Sequence, residues 1–502
     1  MKKRVLFNED ETQFGFVFNN TRGYMPTIED INAYIDYFIG TDITDFSMTL
    51  NGTISAAPSS VIETYAEKYE QRELFGKAVD FTSSFAKVYH HVQKVLGVDH
   101  FQIWTDRLRA GGVNPWICMR MNDCHHGDVL TSSKIDPAWK NTPYREVSNY
   151  FDIALNYLLD EVRDIRLKYI EEQLSRYDVY GLELDFNREP YCFPAGKKAE
   201  GRRVMLDFIR NVREIANRIG QERGKEIKLA ILCPADPICA YNDGFDIAEM
   251  ARLELVDRVI ACPRWDTINN DMPVAMWKRL LGDKVEFTCK HEILLRSYPY
   301  YRAHKFLTVS TDHSFGQAAV FEQQGCDIVY LYNYLPFTYP EENDPEAGLQ
   351  IHQCSSMNPR NHKKLLSEIG TRGGFEKRNC RYPLTYDDAL PLYDSSHPRL
   401  PIALAPNLVR IFKIVTGEIT PAQKKYLIIE AAEPIAPEAL TIFVNGNKAP
   451  PSKEHKELAE MFPKNMYTYS FDAEIDGECE IEIIASTPVE LHYIEVLAEA
   501  LE

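Results

Sequence analysis

The stretch Tyr180-Gly181-Leu182-Glu183-Leu184-Asp185-Phe186-Asn187-Arg188-Glu189-Pro190 concentrates the side chains most able to do chemistry. Glu183 and Asp185 alternate with Leu182, Leu184 and Phe186, so on a β-strand both carboxylates occupy one face. Two carboxylates crowded into one site do not both ionise freely, and one tends to keep a proton near neutral pH. A proton donor beside an anion is the pair that cleavage of a glycosidic bond requires. The plainer reading is that the two acids only neutralise Arg120, Arg188 or Lys290. Charge is seldom buried without use, which favours the functional reading.

A second strand-like run, Phe287-Thr288-Cys289-Lys290-His291-Glu292, ends in an acid that would project across the same mouth. Glu292 is therefore the candidate opposite carboxylate, although a glutamate at a strand end is commonly just exposed. A third run, Arg120-Met121-Asn122-Asp123-Cys124-His125-His126, is dense in donors suited to a polyhydroxylated substrate. Arg120, Asn122, His125 and His126 are the expected substrate contacts there. The same run holds metal-ligand residue types, but neighbours on a strand diverge and no remote H-x-x-x-H or paired-cysteine site completes a set. No metal and no cofactor are expected. Arg188 and Glu189 follow the carboxylate pair, and Trp265-Asp266 pairs a ring with an acid, as a sugar-stacking platform does. A core role suits Trp265 nearly as well. Tyr330, Tyr332 and Asn333 are placed on the pocket wall. Asp312 is a candidate helix N-cap, and Asp236 a weak site candidate. G-x-S-x-G, Walker, G-x-G-x-x-G and H-E-x-x-H patterns are absent.

These side chains need a scaffold that brings strand ends together. Short apolar strands alternate with amphipathic stretches over about the first 370 residues, the pattern of βα units. Strands are expected at Arg4–Asn8, Asp45–Asn51, Pro115–Asn122, Val179–Asn187, Ile227–Cys233, Asp257–Cys262, Lys284–Glu292 and Asp327–Asn333, with helices at Val147–Arg176 and Arg202–Arg223. Eight such units fit a (β/α)8 TIM barrel, whose active sites lie at the carboxyl ends of the strands. A doubly wound open sheet would be covered on both faces and read as nearly continuous apolar runs. Here four of the strands alternate polar and apolar instead. After a proline-punctuated stretch the pattern changes to short β runs, from Leu408–Val415 to Glu490–Val496, with Asn445-Gly446 as a hairpin turn. The expected division is a barrel over 1–380, a Pro-rich linker over 381–405 and an antiparallel β-sandwich over 406–502.

Composition agrees with a globular protein of 502 residues, 45% hydrophobic and 26% charged. Its 74 acids against 56 bases give a formal charge of −18, which disfavours nucleic acid and anionic membrane as partners. The N-terminus has no apolar stretch long enough for a secretory signal, and no window approaches a membrane span. Eleven cysteines without a C-x-x-C pair suit reduced thiols and a cytoplasmic location.

With Tyr177–Phe186 and Arg120–His126 on the page, the chain resembles a group of bacterial glycosyl-hydrolase-like barrel proteins, many uncharacterised, over about three quarters of its length. That resemblance implies a (β/α)8 barrel with a trailing sandwich and action on glycans. Family 18 chitinases are similar locally, with Asp, Asp and Glu at alternate positions where this chain has Glu183, Asp185 and Asn187. The asparagine stands where their proton donor would be. Family 31 glucosidases carry a D-M-N-E motif, to which Asp185-Phe186-Asn187-Arg188-Glu189 is similar apart from the inserted arginine. Clan A glycosidases place an acid after strand four and a nucleophile after strand seven, which implies Glu189 or Asp185 together with Glu292. The combined expectation is a glycoside hydrolase with Asp185, Glu292 and Glu183 as its carboxylates and a carbohydrate as its partner. The alternatives are a noncatalytic carbohydrate-binding barrel and a metal-dependent hydrolase or lyase using the His125-His126 loop.

Overall fold

The computed structural model describes residues 3–10, 13–18, 23–51, 54–70, 86–123, 154–187, 189–264, 267–298, 307–334, 359–387, 399–453 and 465–501. Eight parallel strands close into a barrel in sequence order: β1 (Arg4–Glu9), β2 (Asp45–Thr49), β3 (Asn114–Arg120), β4 (Gly181–Asp185), β5 (Lys228–Pro234), β6 (Arg258–Cys262), β7 (Glu286–Glu292) and β8 (Ile328–Tyr332), with β8 pairing back onto β1. A two-residue hairpin, Leu294–Leu295 with Leu307–Thr308, follows β7 outside the barrel path.

Side-chain parity decides which residues meet. Phe46, Met48, Ile117, Met119, Leu182, Leu184, Phe287 and Cys289 join the large apolar core outside the strands. Leu6, Trp116, Ala230, Leu232, Ile260, Ile328, Tyr330 and Tyr332 form a second cluster, within the barrel. A strand period of two sends Glu183 and Asp185 to that inner side, as the alternation predicts. The amino-terminal end of the barrel is plugged by charge. Asp45 accepts from Trp116 Nε1 at 2.8 Å and from Arg4 Nη2 at 2.6 Å, and Arg258 Nε reaches Glu286 at 2.5 Å. Burial would push the Asp45 carboxyl up, but its arginine partners outweigh that and hold it below the ordinary value. Gly181 makes the plug possible, since a Cβ there would lie 2.3 Å from the Trp116 ring.

The helix expected over Val147–Arg176 spans Asp160–Arg176 among the described residues. Residues 154–159 are held outside it: Leu155 N donates to Asn122 Oδ1 at 2.7 Å, and Tyr157 donates from its hydroxyl to Met121 O at 2.7 Å. The other long helix runs Lys198–Arg223. The helix Thr311–Gln323 is capped by Ser310, whose side chain accepts from His313 N, so Asp312 is not the N-cap. Both types can cap, and the chain leaves the extended region at Ser310.

The carboxyl-terminal part is an antiparallel sandwich. One sheet contains β9 (Cys380–Pro383), β10 (Ile402–Leu404), β12 (Gln423–Ala431), β15 (Pro451–Ser452), β16 (Met466–Phe471) and β18 (Val489–Ala500). The other contains β11 (Val409–Val415), β13 (Leu440–Val444), β14 (Asn447–Ala449) and β17 (Glu478–Ala485). Ile429 and Leu491 of the first share a core with Ile442, Ile481 and Ile483 of the second. Asn445 and Gly446, at φ 45° and 76°, turn β13 into β14 in the left-handed conformation that a two-residue hairpin requires. Residues 380–383 therefore lie within a sheet of the sandwich.

A buried cluster joins sandwich to barrel. Arg381 on β9 grips Glu495 on β18 with two bonds, Nε to Oε1 at 2.5 Å and Nη2 to Oε2 at 2.8 Å. Tyr493 donates to Glu495 Oε2 at 2.8 Å, and His313 Nε2 on the barrel helix lies 3.2 Å from Oε1. Among the described residues no helix is long and apolar enough to cross a membrane.

Candidate active site

Parallel strands in one barrel place their last residues at the same end. Arg120, Asp185, Glu292 and Tyr332 are the last residues of β3, β4, β7 and β8. All four are buried, each no more than 3% exposed.

Tyr332 is the centre of this group. Its hydroxyl donates to Asp185 Oδ2 at 3.3 Å and accepts from Arg120 Nη2 at 3.4 Å. In the sheet Tyr332 stands beside Glu292, and Lys290 Nζ sits 4.4 Å from the centre of its ring. The same Lys290 ammonium lies 3.0 Å from Glu292 Oε2 and donates to Arg264 O at 2.9 Å. One tyrosine is thus flanked by the two acids expected at opposite sides of the mouth. Asp185 and Arg120 are neighbours in the β3–β4 register, and the arginine forms ion pairs with Asp10 at 2.7 Å and Asp123 at 3.1 Å.

Asp185 Oδ1 accepts from Asn187 N at 2.9 Å. Asn187 itself donates from Nδ2 to Cys262 O at 3.1 Å and Pro263 O at 2.9 Å. Asn187 therefore braces the end of β4 against the end of β6.

Glu183 lies one inward-facing position below Asp185 and is fully buried. Its Oε1 accepts from Tyr330 OH at 2.6 Å and Asn8 Nδ2 at 2.8 Å, while Oε2 has no hydrogen-bond partner. Burial is the main reason its carboxyl is pushed up to about 7; the Asp185 charge adds to this, and the Tyr330 bond and Arg258 oppose it. Crowding by Asp185 was the cause expected from sequence, and burial is the larger one.

The remaining candidates fall into four groups. Asn122 is turned into the scaffold, with Nδ2 donating to Tyr191 O at 3.1 Å. Glu189 is buried after β4, and Asn333, directly after β8, takes a left-handed φ of 59° that asparagine tolerates. His125, His126, Arg188, Trp265 and Asp266 lie outside the described residues. Asp236 caps the short helix Pro237–Asn242, accepting from Ile238 N at 2.7 Å and Cys239 N at 3.1 Å. Asn8 and Asp10 were not singled out as site residues, although three consecutive polar residues, Asn8-Glu9-Asp10, at the end of the first strand were a signal. Among the described residues no group of three or more His, Cys, Asp or Glu is arranged to hold a metal ion.

No family model and no curated protein matches this chain. Solved structures similar to it include the PgaB glycoside hydrolase domain of Bordetella bronchiseptica, with 13% identity, 73% of this chain and 99% of that chain covered, and a TM-score of 0.39. A maltogenic alpha-amylase of Thermotoga neapolitana has 11% identity, 99% of both chains covered and a TM-score of 0.38. The chitinase ChiW of a Paenibacillus species has 8% identity, 99% of this chain and 54% of that chain covered, and a TM-score of 0.43.

Proposed function

We propose that this protein is a glycoside hydrolase acting on short oligosaccharides or small glycosides. The observation that carries the reading is the placement of Asp185 and Glu292 at the carboxyl ends of β4 and β7, on either side of Tyr332. A barrel's chemistry is built at that end, and glycosidic cleavage needs two carboxylates flanking one bond. Asp185 receives a hydrogen bond on each oxygen, which suits the nucleophile or stabilising anion. Glu292 serves as the opposite carboxylate. In that role it acts as acid/base or exchanges roles with Asp185, and Lys290 is a positioning residue whose ammonium, 3.0 Å from Glu292 Oε2, fixes the carboxyl's rotamer. Glu183 lies too deep to touch substrate and tunes the field at Asp185. The barrel, read as residues 1–380, carries the reaction. The sandwich, whose sheet begins with β9 at Cys380–Pro383, serves as the accessory unit and braces the barrel through Arg381 and Glu495 against His313.

The test is a screen of aryl glycosides and oligosaccharides against wild type and Asp185→Asn. Turnover of one glycoside by wild type and its loss in the variant supports the reading. Sugar binding with no turnover in either protein replaces it with a carbohydrate-binding barrel.

A further inference from the structure

Away from the barrel mouth, a cavity of about 510 Å³ opens on the flank. It lies between the helix Thr311–Gln323, the helix Pro359–Glu368 and the segment that leads into β9. The volume falls within the range of small-molecule sites, roughly 300–1,000 Å³.

Its lining is cationic in a protein that is strongly acidic. Lys364, Arg372, Lys377 and Arg378 are four of the eleven lining residues, against two carboxylates, Asp312 and Glu368. In the whole chain acids outnumber bases, 74 to 56, so the local balance is reversed. Some exposed bases elsewhere sit in ion pairs, such as Arg107 with Asp36 at 2.5 Å and Arg252 with Glu249 at 2.6 Å. The side chains of Lys364, Arg372 and Lys377 form no hydrogen bond or ion pair among the described residues. Arg378 is held in place by the Phe315 ring, 4.7 Å from its guanidinium carbon, and by Glu368 at 3.7 Å. Its Nη1 is nevertheless buried with no hydrogen-bond partner. A buried guanidinium nitrogen left unmatched is costly, and three further unpaired cations around the same cavity repel one another. An anion in the cavity relieves both.

We propose that this cavity is a binding site for a small polyanion carrying phosphate or carboxylate groups, separate from the barrel mouth. Arg378 is the preorganised contact, stacked and forked toward planar oxyanions, while Lys364, Arg372 and Lys377 supply mobile charge. The negative potential of the remaining surface leaves this cavity as the place where such an anion accumulates. The bound anion would bridge the last barrel helix to the segment entering the sandwich.

The test is isothermal titration of the intact protein with pyrophosphate and with citrate, in sodium chloride buffer of fixed ionic strength. Saturable binding of either probe by wild type is expected, weakened about tenfold or more in Lys364→Gln/Arg372→Gln. Both positions are exposed, so the fold should survive, and circular dichroism checks that it does. Lys94→Gln/Lys448→Gln, which removes the same charge from exposed positions elsewhere, should leave binding unchanged. No saturable binding by wild type, or equal weakening by the two double variants, overturns the site.

Discussion

The Tyr332 hydroxyl lies 3.3 Å from Asp185 Oδ2 and 3.4 Å from Arg120 Nη2, so one phenol joins three strand ends of the barrel. The bond orients Asp185 toward the axis. Arg120, the neighbour of Asp185 in the sheet, forms ion pairs with Asp10 at 2.7 Å and Asp123 at 3.1 Å. Tyr332→Phe should therefore keep the fold and weaken turnover while leaving sugar binding nearly intact. A loss on the order of ten- to a hundredfold in kcat, with KM little changed, fits a single hydrogen bond to a charged carboxylate, roughly 1.5–3 kcal/mol. Steady-state kinetics on the glycoside found in the screen would check it, and equal losses in kcat and affinity would count against the orienting role.

Asp185→Asn keeps the shape and the bond from Asn187 N but removes the anion. Turnover should fall on the order of 10²–10⁴-fold if the group works through proton transfer, and further if it is the nucleophile. Glu292→Gln should do the same. Groups that act as a unit are not additive, so the double variant should be far less than multiplicatively worse. Near-wild-type turnover by either single variant removes that residue from the chemistry.

Lys290→Met retains length and removes the charge 3.0 Å from Glu292. Losing that contact frees the Glu292 carboxyl to leave its rotamer, so kcat on the glycoside found in the screen should fall on the order of tenfold or more while sugar binding changes little. Lys290→Arg, which keeps the charge, should recover part of the rate, and equal losses in the two variants would count against the positioning role.

How much of this was legible beforehand follows from the range of each interaction. The eight barrel strands begin and end within two residues of expectation, because the alternation of Leu182 and Leu184 with Glu183 and Asp185 is a local signal set by the strand period. The same period places Glu183, Asp185, Tyr330 and Tyr332 inside the barrel. The choice of partner was not legible. Asn8 reaches Glu183 across 175 residues and Asp10 reaches Arg120 across 110, and no spacing rule connects them. The start of the helix at Asp160 depends in the same way on Tyr157 bonding to the end of β3. The Ser310 cap was hidden because two capping residue types stand two positions apart.

Burial of Glu183 has a consequence for stability as well as chemistry. Its carboxyl is pushed up to about 7 from an ordinary 4.5, so the folded state holds this proton more tightly than the unfolded chain. The contribution is fully present below about pH 4.5 and is lost as pH rises toward and through about 7. Glu183→Gln keeps the acceptor for Tyr330 and Asn8 and cannot ionise. Across this window the variant should lose less stability than wild type as pH increases. Urea unfolding at several pH values measures the slope, and parallel slopes would show that Glu183 does not titrate differently on folding.

Glu495 shows the opposite sign. It is fully buried, and burial alone would raise its pKa, but Arg381 and His313 together hold the carboxyl down to about 2. A depressed carboxyl stabilises the fold above the ordinary value of 4.5, and that contribution is lost as pH falls from there toward about 2. The His313 imidazole is itself lowered by burial and by Arg381, with Nδ1 accepting from Ser310 N at 3.0 Å and Nε2 turned to Glu495. Glu495→Gln would leave the Arg381 guanidinium buried without its counter-ion, a loss of about 3–5 kcal/mol for a broken buried pair. The variant should therefore unfold at lower urea at pH 7 and show a flatter acid dependence than wild type between about pH 4.5 and 2. Because Glu495 joins the sandwich to a barrel helix, that loss should appear in barrel signals as well. Fluorescence of the buried barrel tryptophans Trp104, Trp116 and Trp277 and far-ultraviolet circular dichroism should shift together. A sandwich that melts alone, with the barrel transition unmoved, would show that Arg381, Glu495 and His313 do not brace the barrel.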